Sequence, residues 1–183
     1  AEYAAVREDF LYPTPSNAKD SDAAAAALVG ITAHLGLFRC AKLKAGETVF
    51  VNGGTGGVGS MVVQMAKAAG ARVITTVGTS DKAETCRGWG ADLVLNYKTD
   101  DVPDSIQRFS GGEGVDVWYE TQREPDFLRA VPLIRRRGRM IIMAGRQAQP
   151  IFPVGPFYTK DLSLFGFAMF LALVSQVVIL LST

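Results

Sequence analysis

Five glycines crowd into seven positions, Gly53 to Gly59, immediately after the apolar run ETVFVN. Glycine loses more backbone freedom on folding than any other residue, so this density needs a backbone reason. The run before it reads as a strand over residues 47–52, and the stretch GSMVVQMAKAAG after it as a helix over 58–69. Gly54, Gly56 and Gly59 satisfy GxGxxG, and Gly53, Gly56 and Gly59 also satisfy GxxGxxG. Between a strand and a helix, such a turn lets bare main chain approach a dinucleotide diphosphate, whose charge meets free N–H groups at the positive helix end. A tight turn without ligand would need fewer glycines.

The rest of the chain repeats the same alternation. Strands are expected at 47–52, 71–77, 92–97, 115–120, 139–144 and 161–167, with helices at 58–69, 80–88, 102–109 and 124–137. Runs such as VITTV and MIIM are apolar at nearly every position, as parallel strands covered by helices on both faces require. The fold class is therefore α/β, a doubly wound parallel sheet of the Rossmann type. Gly70 is placed to end the first of these helices and Ser80 to cap the second. Upstream, an Ala-rich segment reads as a long helix capped by Asp20 or Ser21. Residues 1–17 read as the end of a preceding domain with a linker, 18–170 as the nucleotide-binding domain, and 171–183 as an atypical apolar tail. A chain opening on Ala1 without an initiator methionine is expected to begin inside a longer protein.

The choice of nucleotide turns on the end of the second strand. An NAD site carries Asp or Glu there, about 20 residues past the glycines, to hold the ribose 2′-hydroxyl. Here the strand runs out as Val77-Gly78-Thr79-Ser80, with Lys82 just beyond and no carboxylate at the end. That arrangement leaves room and donors for a 2′-phosphate, which favours NADPH. Ser80 as a plain helix cap and Lys82 as a solvated first-turn residue remain the alternatives.

Composition narrows the partners. Nineteen basic against 18 acidic residues give a formal charge of +1, too small a field for nucleic acid or an anionic membrane surface, so a small molecule is the expected partner. Cys40 and Cys86, with a single histidine, His34, fit neither a disulfide framework nor zinc, and point to a reducing, cytoplasmic setting without a signal peptide. Arg135, Arg136, Arg137 and Arg139 read as helix C-terminal charges rather than a nucleic-acid patch, and SGGEGVD as turn chemistry.

The segments "GITAHLGLFRCAKLKAGETVFVNGGTGGVGSMVVQMAKAAGARVITT", "GADLVLNYKTDD" and "GVDVWYET" resemble the medium-chain dehydrogenase/reductase superfamily. Within it the chain is most similar to the zinc-independent NADPH:quinone oxidoreductases, the zeta-crystallin-like group, from about Glu2 to Phe170. The resemblance implies strand order 3-2-1-4-5-6 and a partner GroES-like domain that forms most of the substrate pocket. It implies that Thr55, Gly57 and Val58 meet the pyrophosphate, and that Ser80, Lys82 and Tyr97 surround the 2′-phosphate. Thr32 would lie near the nicotinamide, and Ala144, Gly145 and Arg146 would flank its ribose. Tyr97 as an aromatic closing a buried strand is the competing reading. Leu28 stands where zinc-dependent relatives carry a cysteine ligand, so hydride is expected to pass to an acceptor already electrophilic, a quinone or an enone, with no catalytic acid or base assigned. A homodimer through the last strand is also implied.

Two features depart from that pattern. Most of the GroES-like domain is absent, so a nucleotide-binding module without turnover is a rival expectation. Residues 164–181 carry no charge, a stretch of 18 that nears the ~20 needed to span a bilayer. An apolar strand and helix buried in the domain or a dimer seam is the leading expectation for it, ahead of a replaced tail or a membrane anchor.

Overall fold

The structure, a computed structural model, describes residues 5–8, 11 and 13–169. Residues 170–183 lie outside the described residues, and with them most of the stretch 164–181 and the readings of its helical part. Six strands form one parallel sheet in the order β3-β2-β1-β4-β5-β6. They are β1 (Thr48–Asn52), β2 (Arg72–Val77), β3 (Leu93–Asn96), β4 (Val115–Glu120), β5 (Ile134–Ile142) and β6 (Ser163–Gly166). The helices are α1 (Asp20–His34), α2 (Gly57–Ala68), α3 (Ser80–Gly88), α4 (Val102–Phe109), α5 (Phe127–Leu133) and α6 (Val154–Thr159). The order steps outward in both directions from β1 and β4, so the switch point falls between those two strands, where open α/β sheets bind ligands.

The side-chain alternation explains the layers. Val49 and Val51 join Val62, Val63 and Ala66 of α2 in one buried cluster. Phe50 points the other way and joins Ile74, Trp118, Ile106 and Val131 in a second, its ring 4.1 Å from that of Trp118. A strand apolar at consecutive positions thus serves two cores, as the sequence pattern required. Helix α1 continues through a π-helical turn, Leu35–Cys40, closed by the Ala41 N–H donating to the Gly36 carbonyl. Segment Asp20–Cys40 is long and apolar enough to cross a membrane by length and composition alone, but its Ala33, Leu35 and Leu37 are spent in the core.

Several boundaries correct the expectations. The N-cap of α1 is Lys19, with no side-chain cap, in place of Asp20 or Ser21. Thr79, not Ser80, is the N-cap of α3, again without a side-chain hydrogen bond. The helix expected over 124–137 is shorter, Phe127–Leu133, with Pro132 weakening its last turn by removing an N–H, and the chain turns extended as β5 begins at Ile134. The arginines therefore lie on β5 and not at a helix C-terminus. There they form ion pairs: Arg135 with Asp116 at 3.0 Å, Arg137 with Asp161 at 3.2 Å, and Arg139 with Glu47 at 2.6 Å. Arg137 has φ 62, and the β4–β5 register shifts between Val115 and Val117, so the cluster marks an irregular strand entry.

The Arg139–Glu47 pair is bidentate, at 2.9 and 2.6 Å, and joins the middle of β5 to the residue before β1. Burial pushes the Glu47 carboxyl up, but the Arg139 fork and the Lys44 N–H outweigh it, and the net shift is downward. A carboxyl depressed in the folded state adds stability above its unfolded value, and that stability is lost as pH falls through the folded value. Arg139→Ala should therefore cost about 2 kcal/mol at neutral pH, less than a fully buried pair because both side chains keep some solvent contact. Denaturant midpoints at pH 7 and pH 4 check this: the gap between variant and parent should narrow at the lower pH.

Candidate functional site

The glycine turn occupies the C-terminal end of β1, beside the switch point. Its glycines are there for different reasons. Gly53 has φ +95, the left-handed region. At Gly59 an added Cβ would stand 2.1 Å from the Gly53 carbonyl oxygen, so this residue lets α2 pack against the strand end. At Gly54 a Cβ would strike the Thr75 side chain at 2.1 Å, and at Gly57 it would meet a Val29 methyl at 3.0 Å. Gly56 differs: it is exposed, has ordinary extended backbone (φ −69, ψ 163), and a Cβ there would meet only the Gly53 carbonyl, at 3.5 Å. Nothing among the described residues requires glycine at that position.

Gly56 is also the N-cap of α2, and it brings no side chain to the helix end. The first N–H groups of a helix have no acceptor inside it. Gly57, Val58 and Gly59 supply those groups here, with Thr55 at the turn's outer edge. An anion at this point would meet N–H dipoles without displacing any side chain. The bare cradle fits a diphosphate, and these residues would hold it.

At the end of β2, Gly78 has no room for a side chain, because a Cβ would lie 2.6 Å from the Tyr97 hydroxyl. Tyr97 lies just past β3 and is 57% exposed, so it does not close a buried strand. Thr79 and Ser80 open α3 exposed, and neither hydroxyl caps the helix. Lys82 follows one turn in, with Asp81 beside it in that first turn. The structure thus brings Gly78, Ser80 and Tyr97 to one edge of the sheet, with no carboxylate at the strand end itself.

Thr32 sits on α1, one turn beyond Val29. It is nearly buried, donates its hydroxyl to the Leu28 carbonyl at 2.8 Å, and accepts the Tyr119 hydroxyl on its own carbonyl at 2.9 Å. Ala144, Gly145 and Arg146 follow β5. Gly145 has φ +83, and a Cβ there would clash at 2.1 Å with the Arg123 carbonyl, so the loops after β4 and β5 touch at this point. All these positions except Thr32 lie at the C-terminal edge of the sheet. His34 is half-buried beside Phe38, its ring 4.7 Å away, and burial lowers its pKa, which fits a packing residue.

One group escaped sequence reasoning. Glu120, 1% exposed, ends β4 opposite Asn52, which ends β1. The Asn52 amide donates to both carboxylate oxygens, at 2.9 and 3.0 Å, the Trp118 indole donates at 3.1 Å, and the Gln122 N–H at 2.8 Å. Burial pushes this carboxyl above the usual range, opposed by those donors. A cavity of about 70 Å³ lies here, walled by Phe50, Trp118, Asn52, Thr76 and Glu120. The motif had no hint of it, because the pairing depends on β1 and β4 being neighbours. A larger recess of about 350 Å³ lies away from the glycine turn, between residues 124–128 and 148–151. No residue of the glycine turn lines it. Among the described residues, no three His, Cys, Asp or Glu side chains converge to hold a metal.

Comparison with known proteins agrees with this geometry. A family described as zinc-binding dehydrogenase matches residues 57–182. Human quinone oxidoreductase is 30% identical over 170 residues, covering 93% of this chain and 51% of the relative. The structure of Escherichia coli quinone oxidoreductase complexed with NADPH superposes with a TM-score of 0.82 at 27% identity, covering 95% of this chain and 55% of that one. CurK enoyl reductase superposes with a TM-score of 0.81 at 27% identity, covering 95% and 54%. The chain spans about half the length of each.

Proposed function

Since the chain belongs to the zinc-binding dehydrogenase family, within the medium-chain dehydrogenase/reductase superfamily, we propose that it is the cofactor-binding part of an NADPH-dependent oxidoreductase acting on a quinone or an enone. The observation that carries this reading is the open flank of Gly56 at the uncapped start of α2. Gly53, Gly54, Thr55, Gly56, Gly57, Val58 and Gly59 cradle the diphosphate, their N–H groups meeting its charge. Gly78 lets the Tyr97 hydroxyl lie close against the end of β2, beside the ribose 2′-phosphate, which Ser80, Lys82 and Tyr97 bind. Thr32, Ala144, Gly145 and Arg146 border the nicotinamide and its ribose. When bound, NADPH would supply a hydride; the acceptor takes that hydrogen with its electron pair, plus one proton from solvent, leaving NADP+. This chain's own residues bind and orient; none is assigned as an acid or base. Although the family's description names zinc, the described residues do not converge on a metal, and no step is routed through one.

The likeness to CurK enoyl reductase makes an enoyl thioester the second acceptor reading. The polypeptide spans about half of its relatives, so a nucleotide-binding module without turnover is the rival. Stopped-flow oxidation of NADPH with a simple benzoquinone, and separately with a short enoyl thioester, decides among them. Turnover with the quinone supports the first reading, turnover only with the thioester replaces it, and binding without either leaves the module. Strand β6 is the sheet edge, with Leu164 exposed, and pairing of two such edges is the proposed homodimer contact. A cytoplasmic location is proposed on the same resemblance.

A further inference from the structure

We propose that Glu120, Asn52 and Thr76 form a positioning relay that fixes the Asn52–Gly53 peptide and, through it, the place where α2 begins. This rests on the reading of the glycine turn as a diphosphate cradle.

The three residues lie side by side near the ends of the adjacent strands β4, β1 and β2. Glu120 as a carboxylate can only accept, and these partners donate to it: the Asn52 amide, the Trp118 indole and the Gln122 N–H. That settles which way the Asn52 amide faces, since its NH₂ must meet the carboxylate and its Oδ1 must turn away. On the far side Oδ1 accepts the Thr76 hydroxyl at 3.1 Å. With its proton committed, Thr76 Oγ1 offers a lone pair to the Gly53 N–H at 3.0 Å. The other end of the same peptide, the Asn52 carbonyl, accepts the Thr121 hydroxyl. The peptide plane is therefore held at both ends.

Its orientation sets the turn. The Gly53 carbonyl accepts the Gly56 N–H at 3.2 Å and lies against Gly59, where even a Cβ would not fit. The plane of the Asn52–Gly53 peptide sets the Gly53 φ, +95, and that angle helps to aim this carbonyl at the N-cap and first turn of α2. Thr76 is 3% and Glu120 1% exposed, so bulk solvent does not make up for a lost partner; only a water confined to the adjoining cavity of about 70 Å³ could.

The test uses Thr76→Val, which removes the hydroxyl at constant shape, Thr76→Ser, which keeps it, Glu120→Gln, which sets a donor against the donors around it, and the Thr76→Val/Glu120→Gln pair. NADPH Kd is measured by calorimetry well below each Tm, and the Gly53 amide resonance is followed by NMR. Thr76→Val and Glu120→Gln should each weaken NADPH about tenfold and shift the Gly53 resonance, Thr76→Ser should stay near the parent, and the double variant should fall short of the ~hundredfold product, because both changes cut one path. Parent-like binding by Thr76→Val, whatever its Tm, overturns the relay alone; so does a fully multiplicative double variant. Should Glu120→Gln not fold, Thr76→Val against Thr76→Ser still decides. A parent chain that ignores NADPH overturns the cradle reading, and the relay with it.

Discussion

Replacing Gly56 with valine is expected to weaken NADPH at least about a hundredfold, some 2.7 kcal/mol, while leaving the fold intact. The two halves of that statement have separate grounds. Intactness follows from a backbone that any residue adopts, φ −69 and ψ 163, and from a Cβ position whose nearest neighbour is the Gly53 carbonyl at an ordinary 3.5 Å. The loss follows because the space a valine takes lies in front of the uncapped α2 N–H groups, where the diphosphate must come within hydrogen-bond distance of main chain. Gly59→Val supplies the contrast. Its Cβ would stand 2.1 Å from backbone, so that variant should lose at least about 3 kcal/mol of stability through overpacking. Urea midpoints beside calorimetric Kd values for both variants check the pair. If Gly56→Val bound NADPH like the parent, the open flank would have no ligand to explain it.

Ser80→Asp should invert the nucleotide preference. Ser80 is the first residue of α3, exposed, and its hydroxyl does not cap the helix. A carboxylate is favourable there for the fold, since it meets the positive helix end, so stability should hold or rise slightly. Facing a 2′-phosphate it repels, and it removes a donor. NADPH should bind at least about thirtyfold more weakly, with NADH unchanged or improved, a swing of roughly 2 kcal/mol or more. Parallel titrations of the two nucleotides read this out. Equal weakening of both would mean that Ser80 lies near the shared adenosine ribose and not the phosphate.

How much of this was legible beforehand depended on whether the determining contact was local. The β1–turn–α2 unit was readable because its signals lie in one continuous run, Thr48 to Ala68: an apolar strand, five glycines, an apolar helix. The remaining strands followed from their own β-branched runs to within a few residues, with β5 the exception. There the helix gives way to β5 at Ile134, and Arg135, Arg137 and Arg139 pair with Asp116, Asp161 and Glu47, all distant in sequence, so local charge at a supposed helix end was the wrong frame. The caps of α1 and α3 failed for a related reason: Asp20, Ser21 and Ser80 have the right chemistry, but the neighbouring Lys19 and Thr79 take the cap positions without using a side chain. Tyr97 could not be assigned from sequence, because its exposure and its place over Gly78 depend on β3 ending one residue earlier, at Asn96.

Glu120 was illegible for the strongest reason. As the last residue of VDVWYE it resembles any polar strand terminus. Its partner Asn52 lies 68 residues away and becomes adjacent only through β1–β4 pairing at the switch point. The glycines announce that main chain is bared; what holds it in position is a long-range network that no motif encodes.

The most direct test of the account is a calorimetric titration of the folded chain with NADPH, repeated with NADH. A single saturable site per chain, with NADPH bound at least about tenfold more tightly, is the result predicted from the bare α2 terminus and the carboxylate-free end of β2. A folded chain that yields no binding isotherm with either nucleotide would contradict it.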